Sequence, residues 1–238
     1  MGIERFFSTI SNVSNLWMDL SEIDKKSPQL LFIDFNSIVH FFSAFMESDD
    51  EDSLLLNIKK YLLDFYTKKI NPERLETIYL AIDGVPTYGK MREQLKRRYM
   101  GHLISRELGI SSVWSKNNIT PGTKFMKKLT GYLEETIEEL KEVFSIKTII
   151  LSDSNEPGEG ETKIIDYLRN LKLPEDKSKK TEIMIFSPDS DMVLLNLLIK
   201  SNYMVTLLRF NQQESNLQVL DNKTNVYELM EMKDFQLG

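Results

Sequence analysis

The chain has 238 residues, of which 41% are hydrophobic and 28% charged, with ten glycines and seven prolines. This is ordinary globular composition and excludes a disordered, collagenous or membrane protein. There is no cysteine and only two histidines, so disulfide frameworks, thiolate metal sites and cysteine nucleophiles are excluded, and any metal chemistry falls to carboxylates. Acids outnumber bases 36 to 30, which at the scale of the whole chain argues against a phosphate-backbone partner.

In chain order, the opening Met1-Gly2-Ile3-Glu4-Arg5-Phe6-Phe7 is charged early and lacks a long apolar run, so neither a signal peptide nor a membrane span is expected. Phe6 stands where a myristoylation signal needs Ser or Thr. Apolar runs at 30–34, 77–82, 148–151, 182–186 and 205–208 predict buried strands. Helical patterns fall between and after them at 36–45, 53–70, 91–108, 121–144, 161–171 and 191–199, with Ser53 and the Thr120-Pro121 pair as helix-start signals. Charged or proline-bearing loops are expected at 47–52 and 173–180. The repeated alternation of strand and helix predicts one α/β domain over 1–238, a mainly parallel central sheet with helices on both faces. An intracellular protein is expected, cytoplasmic ahead of nuclear, because Lys177-Ser178-Lys179-Lys180 is too short and too close to acids for an import run.

Open parallel sheets place their sites at the carboxyl ends of the strands. Asp34 ends the first predicted strand and Asp83 the second; Glu159 and Glu161 follow the third across a Pro-Gly turn, and Asp189 and Asp191 follow the fourth. Each acid alone is compatible with a turn or a helix cap, as at Asp83-Gly84. Four strand ends all carrying acids is a different matter: clustered carboxylates repel unless cations sit among them, and an oxygen-only ligand set favours Mg²⁺ or Mn²⁺. The i, i+2 pairs Glu159/Glu161 and Asp189/Asp191 suit two ions, which together can activate water and stabilise a leaving oxygen in phosphodiester hydrolysis.

Charge is also unevenly distributed. Between Pro86 and Lys128 lie ten basic residues against two acidic ones. Lys90, Gln94, Arg97 and Arg98 fall on one face of the predicted helix, with Met91, Leu95 and Tyr99 as a separate apolar stripe. The basic face reads either as a solvated amphipathic surface or as a phosphate-binding face beside the acids. His40, closing an apolar helix turn, reads in itself as a core or capping histidine.

These residues resemble the Xrn-type 5′→3′ exoribonucleases, within the wider flap-nuclease and PIN-like superfamily. The similarity is carried by the Met-Gly-Ile-x-Arg-Phe-Phe opening, by Asp34-Phe35-Asn36-Ser37-Ile38-Val39-His40 and by Ala81-Ile82-Asp83-Gly84-Val85-Pro86 leading into Lys90, Gln94, Arg97 and Arg98. It continues through Ile119-Thr120-Pro121-Gly122-Thr123, Pro157-Gly158-Glu159-Gly160-Glu161-x-Lys163-Ile164 and Asp189-x-Asp191. The resemblance implies that Asp34, Asp83, Glu159, Glu161, Asp189 and Asp191 bind two divalent ions, Mg²⁺ or Mn²⁺. It further implies that Lys90, Gln94, Arg97 and Arg98 hold the 5′-monophosphate of an RNA, and that His40 stacks on the first base, a contact that gains about 1–3 kcal/mol without reading sequence. Glu4 and Thr162 depart from the family pattern. The family's seventh acidic ligand and its second conserved region have no counterpart before Gly238; Asp221, Glu228 and Asp234 are acids in that stretch without a supporting motif.

The expected function is therefore metal-dependent 5′→3′ degradation of 5′-monophosphorylated RNA to mononucleotides. Two rivals are a cleavage-deficient RNA-binding remnant or interaction subunit, and a structure-specific nuclease acting on 5′ DNA flaps.

Overall fold

The computed structural model of the chain describes residues 17–19, 27–109, 113–171, 180–187, 189, 191–196, 198–199, 203–210 and 227–231. The opening motif, residues 173–179 of the loop predicted at 173–180, and Asp221 and Asp234 lie outside these residues; Glu228 falls in a strand whose side chains are not described.

Seven strands form one sheet: β1 (Trp17–Asp19), β2 (Leu30–Asp34), β3 (Thr77–Ala81), β4 (Thr148–Ser152), β5 (Thr181–Phe186), β6 (Tyr203–Phe210) and β7 (Tyr227–Glu231), in the order β1-β7-β6-β5-β2-β3-β4. The five strands predicted from apolar runs are the five that pair in parallel, from β4 at one edge to β6. β7 and β1 extend the sheet antiparallel beyond β6, and neither is expected from the sequence pattern. Along the parallel strands successive side chains enter opposite cores, as a period of two requires. Leu31, Ile33, Ile78, Leu80, Met184 and Phe186 pack on one face, and Leu30, Phe32, Tyr79, Ala81, Ile183 and Ile185 on the other. With both faces covered the strands must be apolar throughout, and their sequence says so.

Among the described residues six α-helices accompany the sheet, α1 (Phe35–Ser43), α2 (Glu51–Lys69), α3 (Tyr88–Glu107), α4 (Lys124–Phe144), α5 (Gly160–Asn170) and α6 (Asp191–Asn196), with short 3-10 turns at Pro72–Arg74 and Lys116–Asn118. The first core takes α1, α2 and α4, and the second takes α5 and α6. Two expected caps are corrected. Asp50 caps α2, its carboxylate accepting from the backbone N–H groups of Asp52 and Ser53, while the Ser53 hydroxyl donates to Asp50. Thr123, not Thr120, caps α4 by accepting from the N–H of Met126. In both cases the side-chain oxygen immediately before the helix accepts from the backbone N–H three residues on, a donor that has no partner within the helix.

Helix α3 is the exception to the packing. It buries none of its residues, and the predicted apolar stripe is largely open to solvent, with Leu95 65% and Tyr99 63% exposed. The chain leaves β2 for β3 and β4 on one side and returns with β5 on the other, so the strand order reverses between β2 and β5. Parallel sheets bind ligands at that switch point, outside the carboxyl ends of the strands.

Candidate active site

Asp34 stands at the switch point. Across it, the Ser187 hydroxyl just after β5 donates to Asp34 Oδ2 at 3.1 Å and accepts from the Asp189 N–H at 3.3 Å, linking the ends of β2 and β5. Asp83 follows β3, its N–H held by Asn36 Oδ1 at 3.1 Å, and its own Oδ1 accepts from the Gly160 N–H at the start of α5 at 2.7 Å. Glycine at 160 leaves room for the carboxylates, because a Cβ there would lie 2.9 Å from Asp34 Oδ1, 3.2 Å from the Ala81 carbonyl oxygen and 3.4 Å from Asp83 Oδ1. Gly84 has a similar role in the backbone: a Cβ would stand 1.7 Å from the Glu156 carbonyl oxygen. That closeness lets Gly84 donate to the Gly158 carbonyl at 2.8 Å, and Gly158 to the Val85 carbonyl at 3.0 Å, which carries Glu159 up to Asp83. Below them the buried Lys163 ammonium donates to the carbonyls of Ile82 and Asp153, both at 2.7 Å, tying the ends of β3 and β4 together.

A cavity of about 430 Å³ opens over this edge, lined by Asp34, Asp83, Glu159, Glu161 and Asp189 together with Lys90, Gln94, Arg97, His40 and Arg209. Five of the six predicted acids therefore share one cavity. Asp191, at the start of α6, does not line it, although its charge reaches Glu161. Loss of water drives the electrostatics. Burial, then the neighbouring Asp83, pushes the Asp34 carboxyl well above the usual carboxylate range against the opposing Ser187 hydrogen bond. Asp83 is raised by burial, with Glu159 adding and the Gly160 N–H opposing. Glu161 is pushed up to about 7 by burial first, then by Asp189 and Glu159.

Of the predicted basic face, Lys90 is committed to the acids: its ammonium lies 3.1 Å from Glu159 Oε2, and Gln94 Nε2 donates to Glu159 Oε1 at 3.3 Å. Arg97 lines the acid cavity and also a second one of about 410 Å³, where it meets Arg98, Lys116, Asn117, Gln94 and His40. The two cavities share Asn36, His40, Asp83, Gln94 and Arg97, so His40 stands where they join. Loss of water, then the charges of Lys116, Arg98 and Arg97, push the His40 pKa down to about 4, and its ring is neutral at ordinary pH.

The residues fit divalent metal in their chemistry. The acid cavity offers only oxygen among its anionic donors, as Mg²⁺ and Mn²⁺ prefer. Among the described residues no hydrogen-bond donor reaches the buried Oε2 of Glu161, an orphaned anionic oxygen that a cation would satisfy. Also among the described residues, no three acid or histidine side chains close around a single point as a finished ligand set.

Residues 1–211 match the description "XRN 5′-3′ exonuclease N-terminus". The chain belongs to this XRN family. It is 32% identical over 222 residues to 5′-3′ exoribonuclease 1 of Saccharomyces cerevisiae, an alignment that covers 83% of this chain and 14% of that protein. It is 28% identical over 220 residues to the human 5′-3′ exoribonuclease 1, covering 83% and 12%. Similarity to the putative 5′-3′ exonuclease R528 of Acanthamoeba polyphaga mimivirus is 32% over 157 residues, covering 60% and 24%. The chain thus spans a small part of the length of these relatives. Among solved structures, the catalytic core of Rad2 in complex with DNA aligns with a TM-score of 0.47 and 16% identity, over 99% of this chain and 57% of that one.

Within this XRN N-terminal region the sequence pattern finds the acids but misses several residues that hold them. Asn36 lies inside the Asp34 to His40 motif and Lys163 inside the Pro157 to Ile164 motif, so the motifs contain both without giving either a role. Ser187 closes β5 one residue beyond its apolar run. Arg209, 3% exposed, lines the acid cavity from the end of β6; the carboxyl-end rule alone would have drawn attention to it. Among the described residues no helix is long and apolar enough to cross a membrane.

Proposed function

We propose that the protein is a divalent-metal-dependent exoribonuclease that degrades RNA from a 5′-monophosphorylated end, releasing mononucleotides. The observation that carries this reading is the pairing of two adjoining cavities, one acidic and one basic, that share Asp83, His40, Gln94 and Arg97. An RNA end placed across the junction would have its terminal phosphate among cations and its first internucleotide linkage over the carboxylates. Membership of the XRN family, and the names of the relatives above, support the same direction of attack.

In this reading Asp34, Asp83, Glu159, Glu161, Asp189 and Asp191 would hold two Mg²⁺ or Mn²⁺ ions, which when bound supply an activated water and stabilise the leaving oxygen. The protein's own residues do the rest. Arg97 and Arg98 offer forked donors to phosphate oxygens. The neutral His40 ring presents an aromatic face to the first base at little desolvation cost. Asn36, Gly160 and Ser187 fix where the carboxylates point, and Lys90 offsets the charge of Glu159.

The test compares one RNA sequence carrying a 5′-monophosphate, a 5′-triphosphate or a 5′-hydroxyl, in Mg²⁺. The monophosphate form should be degraded fastest, and equal rates would refute the end-recognition reading. Asp189→Ala combined with Asp191→Ala should abolish cleavage with the fold retained by circular dichroism; persistent activity would refute the metal assignment.

A further inference from the structure

The basic face of α3 and the basic cavity are not the same set of residues. Lys90 lines the acid cavity and is paired with Glu159, whereas the second cavity draws its cations from two elements: Arg97 and Arg98 from α3, and Lys116 from a separate 3-10 turn (Lys116–Asn118). Among the described residues no carboxylate forms an ion pair with any of these three. Three cations that no described carboxylate pairs share one concave space with the amides of Gln94 and Asn117, and outnumber Asp83, the carboxylate this cavity has in common with the acid one; such a surplus of donors is what a phosphate group requires.

The turn is built to hold its position. Trp114 and Ile119 on either side of it are buried, 4% and 3% exposed. Its backbone is tied by three hydroxyls: Ser115 Oγ accepts from the Asn117 N–H at 3.3 Å, Thr120 Oγ1 donates to the Asn117 carbonyl at 2.6 Å, and Thr123 Oγ1 donates to the Asn118 carbonyl at 2.5 Å. Lys116 itself is exposed, a long flexible cation on a fixed base. The charges felt by His40 agree with this placement, since Lys116 acts on the ring ahead of both arginines.

We propose that Lys116 is a further specificity-determining residue, which closes the pocket for the RNA 5′-phosphate together with Arg97 and Arg98 while Lys90 serves the acid side. This rests on the function proposed above and adds a wall to its pocket. The end of the RNA is then gripped from two elements, and the position of the turn relative to α3 sets how large a terminal group is admitted.

The experiment measures binding of one short oligoribonucleotide, 5′-phosphorylated or 5′-hydroxyl, by fluorescence anisotropy over a range of salt, for the wild-type chain and for Lys116→Met and Lys116→Arg. Because Lys116 is exposed, both variants should fold. The wild type should prefer the phosphorylated end. Lys116→Met should lose about fivefold in affinity for that end, as a charge-assisted contact partly screened by water would, with less than a twofold loss for the hydroxyl end. Its salt slope should fall by about 0.7, one phosphate contact on a single strand. Lys116→Arg should restore most of the preference. If the wild type prefers the phosphate and Lys116→Met keeps that preference in full, or loses affinity equally for both ends, the role given to Lys116 is overturned and the pocket stands. If the wild type shows no preference, the end-recognition reading itself fails.

Discussion

Gly160 serves the site through what it lacks. Its amide holds Asp83 and its missing side chain leaves room for Asp34, so the first turn of α5 sits between two carboxylates from different strands. Gly160→Ala should therefore leave the fold intact, because alanine is at home in a helix, yet push Asp34 aside. Asp34 is held by Ser187 and has little freedom to yield. A displacement of a few tenths of an ångström to 1 Å at a reacting centre costs up to about 100-fold in rate. Cleavage by Gly160→Ala should fall toward that value, with weaker Mn²⁺ binding by calorimetry and an unchanged far-ultraviolet spectrum; wild-type turnover would show that the close approach is unimportant. His40 makes a second prediction at this scale. Its pKa is lowered to about 4 in the folded protein, while an unfolded histidine titrates near 6.5. Between those values the unfolded chain binds the extra proton, so the contribution of His40 to stability is intact above about 6.5 and is lost as pH falls toward 4. Urea unfolding at pH 7 and pH 5 should show His40→Gln losing less stability on acidification than the wild type does, and an equal loss would contradict the lowered pKa.

Helices α3 and α4 are of nearly equal length but stand differently toward the core, and one substitution made in each separates them. α4 buries Phe125, Met126, Leu129, Leu133, Ile137 and Leu140, whereas α3 buries nothing. Each has a glycine, Gly101 in α3 and Gly131 in α4, where an added Cβ would meet nothing within 4 Å. Replacing a helical glycine by alanine stabilises by about 0.5–1 kcal/mol. Gly131→Ala should raise the global unfolding free energy by that amount, because α4 unfolds with the core. Gly101→Ala should slow amide exchange within α3 and leave the global midpoint where it was, since local opening of α3 breaks no core contact. A shift in the global midpoint for Gly101→Ala would mean that α3 is coupled to the core. The same contrast accounts for what could be read from the sequence. The runs at Leu30–Asp34 and Thr77–Ala81 announce buried parallel strands because burial on both faces leaves only apolar residues, and the acids beyond them mark the site edge. β1 is three residues long and pairs with β7 across some two hundred residues of chain, so no local pattern could announce it. Helical periodicity puts Lys90 and Arg97 on one face, but an angle around a helix does not say that Lys90 pairs with Glu159, nor that Lys116 lines one cavity with Arg97 and Arg98.

The net charge of the whole molecule conceals a separation of charge that should govern its stability. Acids exceed bases by six overall, while the stretch from Pro86 to Lys128 is strongly basic, so the acidic excess is concentrated elsewhere, the site edge included. There Asp34, Asp83 and Glu161 are all raised by burial, Glu161 to about 7. A carboxyl raised in the folded state keeps its proton at a pH where the unfolded chain has lost it. For Glu161 the folded protein thus binds more protons between about 4.5 and 7, and stability falls as pH rises through that window. A divalent cation can take the place of those protons, and its stabilising effect should grow in the same direction. At pH 7.5 and a metal concentration about 100 times its dissociation constant, binding adds about 2.7 kcal/mol, which for a chain of this size raises the melting temperature by about 5–10 °C. At pH 5, where Glu161 already carries its proton, the same concentration of Mg²⁺ or Mn²⁺ should move the melting temperature much less. Thermal melts at the two pH values, with and without metal and with the Asp189→Ala, Asp191→Ala double variant as control, measure this directly. An equal shift at both pH values, or an undiminished shift in the double variant, would place the metal somewhere other than among these carboxylates.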